Sequence, residues 1–491
     1  MCETKNIAIT LQSVRIQWSI WVTHNALIMI MNIRKMREDI KISQAQFSEI
    51  VGIPQYRLSG LELGKDMPTA HEIVTITLAV EKIIHGEIKP RKKKRISKLV
   101  FDYSIVAANP RRGYTQTPRN EEYRNLLHQL EEQFRMDHSR GPKAISFFAG
   151  CGGLCYGISA AGFNIVASNE LVDDYRAIYR ENFPNVRFLS NDIRDITDRE
   201  IEDVLREHPD IDLLAGGPPC QGFSLAGKRD VGDQRNTLFQ YYLGIAHKVR
   251  PKLILMENVR LLTSMKNPDG QLVKDDIIGT FDRIGYNGMF FIVNASDYAV
   301  PQNRERVLFL GVRKDLGMLP EMLQPISGTT NDLFHKSVPK FTFGDAVSDL
   351  EYLESGEHSS SDKYHKSTNH PEHVIRWLYN VPQGKSAHDN EDQNLRPPSG
   401  YNTTYKRQVW NEPGCTVTTN FNMISGGNNV HPIATRALTV REALRLQSFP
   451  DSFKFTGKDG AIRTTIGNAV PPLLAYYVAK FLKETYKLSN A

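Results

Sequence analysis

Between Ala144 and Gly311 the chain alternates short continuous apolar runs with amphipathic stretches. The runs are AISFF (144–148), NIVAS (164–168), DLLAG (212–216), KLILM (252–256), FFIVN (290–294) and VLFLG (307–311). Runs of this length without polar alternation predict strands of a sheet buried on both faces. The amphipathic segments between them predict helices, so the pattern is that of an α/β, doubly wound domain. After Arg313 the regularity is lost, and residues 315–435 are polar and rich in Ser, His and Asn. It returns at Arg436, where LTVREALRLQSF reads as a helix, and a last helix is expected from about Pro472. The sheet is therefore expected to be interrupted by an inserted domain (315–435) and closed by residues 436–487, with its main body at 142–314.

Before the sheet the periodicity is helical. Ser43-Gln44 opens QAQFSEIVG (44–52), Gly52 and Ile53 make a turn, and PQYRLSGLELG (54–64) follows. Phe47, Ile50, Val51, Ile53, Leu58 and Leu61 fall on one side. Two short helices joined by a tight glycine turn are helix-turn-helix geometry, placed in a small all-α domain at 33–87. A helical hairpin used for packing or dimerisation is the plainer reading. Residues 88–141 read as a basic linker opening with KPRKKKR (89–95). One helix is expected within it, N-capped by Thr117, with Pro118 first and a stripe of Leu126, Leu127, Leu130 and Phe134. The charge run suits either phosphate contacts or a solvated linker.

The length of 491 residues predicts two or three domains. The net charge of +6 is uneven: residues 1–143 hold 23 basic and 15 acidic side chains, the remainder 38 and 40. The positive excess at the N-terminus favours a polyanionic partner there. Five cysteines without a C-x-x-C pair make zinc and structural disulfides unexpected. The apolar stretch Trp18–Met31 is broken by Ser19, Thr23, His24 and Asn25 and falls short of the ~20 residues of a membrane span. A packed segment is expected there, or a start at Met31, and the protein is expected in the cytosol.

The first strand runs into Phe148-Ala149-Gly150-Cys151-Gly152-Gly153, a glycine turn of the kind that lets backbone approach a nucleotide-like cofactor. Glu170 ends the second strand, where a carboxylate can bind ribose hydroxyls, and Asn191-Asp192-Ile193 follows the third. Together they point to an adenosine-bearing cofactor, although each alone is commonly structural. GGPPCQGFS (216–224) then holds a thiol, Cys220, in a Pro-Gly turn at the carboxyl edge of the sheet, placed for nucleophilic attack. Cys151, Cys155 and Cys415 are assigned to buried packing, the usual fate of a free cysteine. Glu257-Asn258-Val259 ends the next strand at the same edge. Gln302-Asn303-Arg304-Glu305-Arg306 carries two arginines expected to point one way from an extended segment.

In this order these strings resemble the motifs of the cytosine-C5 DNA methyltransferases, as do RALTVREALRLQSFPDSF (436–453) and TTIGNAVPP (464–472). The likeness covers about 144–480 outside the insertion. It implies a Rossmann-like sheet that uses S-adenosylmethionine to methylate C5 of a cytosine flipped out of duplex DNA. It implies Cys220 as nucleophile toward C6, with Glu257, protonated or sharing a proton, holding N3 and the exocyclic amine. Arg306, with Arg304 nearby, would hold O2 or activate the thiolate. Cofactor contacts fall on Phe148, Gly150, Cys151, Gly153, Glu170, Asp192, Ile193, Pro219, Leu238, Asn468 and Val470. Leu171 stands where some relatives carry an aromatic against adenine, and Cys151 sits inside the glycine turn.

The insertion corresponds to the target recognition domain. Thr416 belongs to a Thr-rich element near the flipped base, Phe421–His431 is a candidate groove-reading loop, and Gln221 would help fill the space the base vacates. The N-terminal helices resemble the phage-repressor helix-turn-helix, implying DNA contacts from Gln55, Tyr56, Arg57 and Ser59. An RNA substrate and a regulator with an idle catalytic domain are the alternatives. The resemblance also implies a cognate restriction endonuclease as genetic partner, repression of the enzyme's own operon, and a homodimer on an operator.

Overall fold

The computed structural model describes residue 37, residues 42–63, scattered positions from 66 to 82, and residues 113–219, 238–267, 270–328 and 338–488. The Trp18–Met31 stretch and the basic run at 89–95 lie outside the described residues. The chain forms two compact units, 1–101 and 102–491.

In the first unit, helix α1 (Gln44–Val51) starts from Ser43, whose side chain accepts the Gln46 N–H while Gln46 reaches back, a capping box. The turn to α2 (Gln55–Glu62) needs φ = +68° at Gly52, which glycine adopts without strain. Phe47, Val51, Ile53, Leu58 and Leu61 are buried with Ile76 and Ala79. Glu62 accepts from Arg37 Nε (2.8 Å) and Gln44 Nε2 (3.0 Å), tying the end of α2 to the start of α1.

The second unit opens with α3 (Asn120–Arg135). It starts later than its sequence suggests, because the Thr117 N–H donates to Ser348 Oγ at 3.1 Å and Thr117 does not cap it. Tyr123, Leu127 and Leu130 are buried in the main core, and Phe134 stacks on Tyr156 with centroids 3.9 Å apart. This segment is part of the larger unit rather than a spacer.

The strands are β1 (Lys143–Phe147), β2 (Asn164–Ser168), β3 (Arg187–Phe188), β4 (Leu213–Gly216), β5 (Leu253–Val259), β6 (Tyr286–Asn294), β7 (Gln302–Asn303), β8 (Glu305–Arg313) and β9 (Gly414–Cys415). Between them run α4 (Gly153–Ala160), α5 (Asp173–Asn182), α6 (Asp198–Glu207), α7 (Leu238–Val249) and α8 (Val273–Arg283). Then come α9 (Phe343–Val347), α10 (Glu372–Leu378), α11 (Val440–Leu446), α12 (Asp459–Asn468) and α13 (Pro472–Thr485). The main sheet has the order β3-β2-β1-β4-β5-β8-β6. Only β8 opposes its neighbours β5 and β6; the pairings among β1–β5 are parallel. β7 and β9 form a separate pair.

Alternate residues feed two cores. Ile145, Phe147, Leu214, Ile254, Met256, Val307 and Phe309 face one side; Ala144, Leu213, Ala215, Leu253, Leu255, Leu308 and Leu310 face the other. Burial on both faces therefore holds for the central strands. It fails for β6, where Met289 and Ile292 are half exposed, because β6 is the sheet edge. Most of the inserted region joins the main core through Phe341, Phe343, Val347, Trp410, Val417 and Phe421. Val374, Leu378, Val381, Ile424 and Val430 make a small core of their own. Helix α11 is shorter than its apolar pattern suggested: Thr439 caps it in a box with Glu442, and Ser448 at φ = +59° ends the turn beyond it.

Candidate active site

The sheet order changes direction between β1 and β4, so the loops after their carboxyl ends diverge and leave a crevice, the usual ligand position in such sheets. Register brings Phe147, Gly216 and Met256 side by side, so the segments beginning at Phe148, Gly217 and Glu257 leave the sheet at one edge.

The turn after β1 is built from left-handed backbone at Phe148 (φ 54°), Gly150 (57°) and Gly152 (100°). Gly153 has no room for a side chain, since a Cβ would lie 2.4 Å from the Val470 carbonyl. Glu170 is buried, one oxygen accepting the Gly150 N–H and the other the Val172 N–H, both at 2.8 Å. Burial raises its pKa and these backbone donors oppose the rise. Beside it Leu171 stays 58% exposed. Asn169, which the sequence reading did not single out, donates to the carbonyls of Ser190 (2.5 Å) and Asn191 (2.8 Å), fastening β2 to the Asp192 turn. Asp192 caps the turn at Ile193, and its hydrogen bonds with Arg194 hold its carboxyl below the usual range. Ile193 and Val470 are buried, Pro219 and Leu238 are half buried, and Asn468 is exposed. Cys151 is buried with its thiol toward the Thr465 carbonyl (3.9 Å), and burial pushes its pKa up to about 12. Only its backbone suits a cofactor contact. A cradle with no space for a Cβ, a buried carboxylate and an uncovered leucine beside it fit an adenosine-bearing group.

At the end of β5, Glu257 Oε1 lies 2.7 Å from Arg306 Nε, with 11% and 12% of the side chains exposed. The antiparallel register sets Arg306 opposite Val259, which puts it diagonally across from Glu257 on the same sheet face. Asn258 donates to the Pro218 carbonyl at 2.8 Å, anchoring the Pro-Pro loop to β5. Cys220 and Gln221, two and three residues beyond Pro218, lie outside the described residues.

Arg304, which the resemblance implied near Arg306 in the catalytic group, turns away from Glu257. It is 1% exposed, and its guanidinium donates to the carbonyls of Val417 (3.0 Å), Gly467 (2.8 Å) and Ala469 (3.1 Å). Burial and the neighbouring Arg306 charge press its pKa down, with Glu257 opposing. With its two terminal nitrogens on main-chain carbonyls and its Nε buried without a partner, the side chain positions the insertion and the C-terminal segment behind the site. Gln302 and Gln447 do similar work: Gln302 accepts the Val417 N–H (2.7 Å) and donates to Gln447, which donates to the Ile466 carbonyl (2.6 Å). Gln447 was missed because a glutamine on a helical pattern carries no signal of burial.

Thr416 is exposed and donates to the Asn303 carbonyl at 2.7 Å. Within the expected reading loop, Phe421, Asn429 and His431 are buried, so these three are structural. In the N-terminal unit Gln55 and Tyr56 are exposed; Arg57 is partly covered and ion-paired with Glu72 (2.9 Å) and Asp66 (3.4 Å), and Ser59 is partly covered.

A Rossmann-like sheet bearing a glycine cradle, a buried carboxylate on its second strand and a Glu–Arg pair at the edge of its fifth defines a methyltransferase site. The chain belongs to the C-5 cytosine-specific DNA methylase family, whose model matches residues 142–484; a helix-turn-helix family matches residues 33–79. It is a DNA (cytosine-5-)-methyltransferase and uses S-adenosylmethionine. It is similar to the type II methyltransferase M.DdeI of Desulfomicrobium norvegicum, 32% identical over 378 residues spanning 68% of this chain and 87% of that protein. M1.HphI of Haemophilus parahaemolyticus is 36% identical over 342 residues, 68% of this chain and 85% of the other. Among solved structures, an E. coli prophage protein described as a DNA modification methyltransferase shares the fold. Its TM-score is 0.54 at 24% identity, over 71% of this chain and 100% of that one. Among the described residues no helix is long and apolar enough to cross a membrane.

Proposed function

We propose that Cys220 is the nucleophile, Glu257 the group that holds the cytosine N3 edge, and Arg306 the cation that positions Glu257 and faces the ring. The Cys220 thiolate adds to C6 of the flipped base. Glu257 hydrogen-bonds N3 and the exocyclic amine, which keeps negative charge from building on the ring and makes C5 enamine-like. S-adenosylmethionine, when bound, supplies a methyl group activated by its sulfonium. Loss of the C5 proton to a base or water lets the thiolate leave by elimination. Phe148, Gly150, Cys151 (through its backbone), Gly153, Glu170, Asp192, Ile193, Pro219, Leu238, Asn468 and Val470 would hold the cofactor. Gln221 and Thr416 would contact DNA beside the flipped base.

The Glu257–Arg306 pair at 2.7 Å carries this reading. Asn258 supports it by fixing the chain two residues before Cys220. The test is bisulfite sequencing of genomic DNA from cells lacking cytosine methylation that express the chain or its Cys220→Ala variant. Protected cytosines in one short motif, absent with Cys220→Ala, are expected. Equal protection by the variant would remove Cys220 from the mechanism.

The reading also places the enzyme in a restriction–modification system in the bacterial cytosol or nucleoid, with a cognate endonuclease as genetic partner. In the N-terminal unit, exposed Gln55 and Tyr56 favour operator binding, with repression of the enzyme's own operon and a homodimer on the operator. Residues 1–90 expressed alone should prefer the gene's upstream DNA, and no preference would end that part.

A further inference from the structure

Residues 411–430 leave the insertion and return to it, and on the way β9 pairs with β7 and lays Thr416 on the Asn303 carbonyl, three residues before Arg306. Both ends of this excursion are rings. Trp410 and His431 stand 6.1 Å apart between centroids, and one further ring packs on both: Tyr114, 5.2 Å from Trp410 and 5.5 Å from His431. Tyr114 lies ahead of α3, outside the residues 142–484 that the methylase family matches. The chain beyond it is fastened in turn, the Asn120 amide donating to the Asp345 carbonyl (2.9 Å) and the Asp349 carboxylate (2.8 Å).

The Tyr114 hydroxyl is held as closely as the ring. His431 Nδ1 accepts the N–H groups of Ile433 and Ala434, both at 3.0 Å, so the imidazole carries its proton on Nε2, 3.3 Å from the Tyr114 oxygen. Arg436, fully buried and paired with Glu442 at 2.7 Å, donates to the same oxygen at 3.2 Å. Glu442 closes the capping box of α11. One phenol therefore joins the neck of the excursion to the C-terminal closure of the catalytic sheet.

We propose that Tyr114 is a positioning residue for methyl transfer, closing the neck at Trp410 and His431 so that the excursion keeps the placement that sets Thr416 beside the flipped cytosine. The inference rests on the Thr416 contact proposed above. Without the third ring the excursion is hinged at its two ends, and apparent affinity for DNA falls with the fraction of molecules in the competent placement. The cofactor cradle is built on β1 and β2 and takes no part in the neck.

The test compares full-length Tyr114→Leu, Tyr114→Phe and Thr416→Ala with wild type. The measurements are steady-state methyl transfer to a duplex carrying the mapped motif, calorimetric affinity for S-adenosylhomocysteine, and thermal unfolding. Tyr114→Leu is expected to raise the KM for DNA about tenfold, with kcat and S-adenosylhomocysteine affinity within about twofold of wild type. Tyr114→Phe strips two buried donors of their acceptor but keeps the ring, so it should lose thermal stability while its KM stays near wild type. An unchanged KM in Tyr114→Leu overturns the proposal. So does a loss of kcat and S-adenosylhomocysteine binding in step with the folded fraction, the result a purely structural residue would give. A KM raised as much by Tyr114→Phe overturns it too, because the hydroxyl and not the neck would then be responsible. Wild-type KM in Thr416→Ala beside a raised KM in Tyr114→Leu would refute the Thr416 contact and not the neck.

Discussion

Arg306 Nε sits 2.7 Å from Glu257 Oε1 in a setting where about a tenth of either side chain meets solvent. Little screening reaches the pair, so removing one partner leaves a partly buried charge uncompensated. Arg306→Ala is expected to lower single-turnover methyl transfer by about 10²–10³-fold, the scale of a lost electrostatic stabiliser, with a smaller effect on DNA affinity. Arg306→Lys should recover only part of the rate, because a point charge does not reproduce the planar fork. Losses that fall wholly on DNA binding would show that Arg306 anchors DNA instead.

Asn258 predicts a subtler defect. Its amide holds the buried Pro218 carbonyl at 2.8 Å, and Asn258→Ala removes that hydrogen bond at a cost of about 1 kcal/mol. If the cost appears as misplacement of the Pro-Cys loop, methyl transfer slows roughly tenfold while cofactor affinity, measured by calorimetry, stays unchanged. A rate equal to wild type would mean the loop is held elsewhere.

The central strands were legible because Ile, Leu and Val runs leave little choice of secondary structure, and the glycine turn because positive φ at Gly150 and Gly152 and the close approach of backbone at Gly153 call for glycine. What escaped was the direction of individual side chains. Arg304 and Arg306 are two apart in the sequence, yet one caps three carbonyls and the other meets a carboxylate. The destination of Arg304 depends on chain segments more than a hundred residues away, and that of Arg306 on its register against β5. Thr117 lost its predicted capping role to a contact with Ser348, also remote. Asn429 lies in the stretch expected to read the groove, yet it is buried with its amide on the carbonyls of its own loop. The edge position of β6 follows from sheet order, which local pattern does not encode.

Burial separates the cysteines by reactivity. Cys151 and Cys155 are at most 1% exposed, with thiol pKa values pushed up to about 12 and about 11. Thiolate, the reactive form, is scarce at such positions. Iodoacetamide at pH 8 followed by peptide mass spectrometry is expected to leave both unmodified in the native protein and to label both in denaturant. Labelling of Cys151 in the native state at a rate near that of a free thiol would show that the cofactor turn opens.

His370 makes the stability of the insertion depend on pH. Its Nε2 accepts the Ala437 N–H at 3.0 Å, so the ring is held neutral; burial, with the Arg436 charge adding, pushes its pKa down to about 4. An unfolded histidine titrates near ~6.5. Between those values the unfolded chain takes up a proton that the folded chain refuses, so stability is complete above about 6.5 and declines as pH falls toward 4. The loss is at most about 3 kcal/mol at the lower end. Denaturant unfolding followed from pH 7.5 to 4.5 should show this slope. His370→Gln, which keeps an acceptor but cannot titrate, should lessen it while leaving stability at pH 7.5 within about 1 kcal/mol; the slope that remains belongs to His431, whose burial also presses its pKa down. A variant as acid-sensitive as wild type would move the origin of the slope to another group.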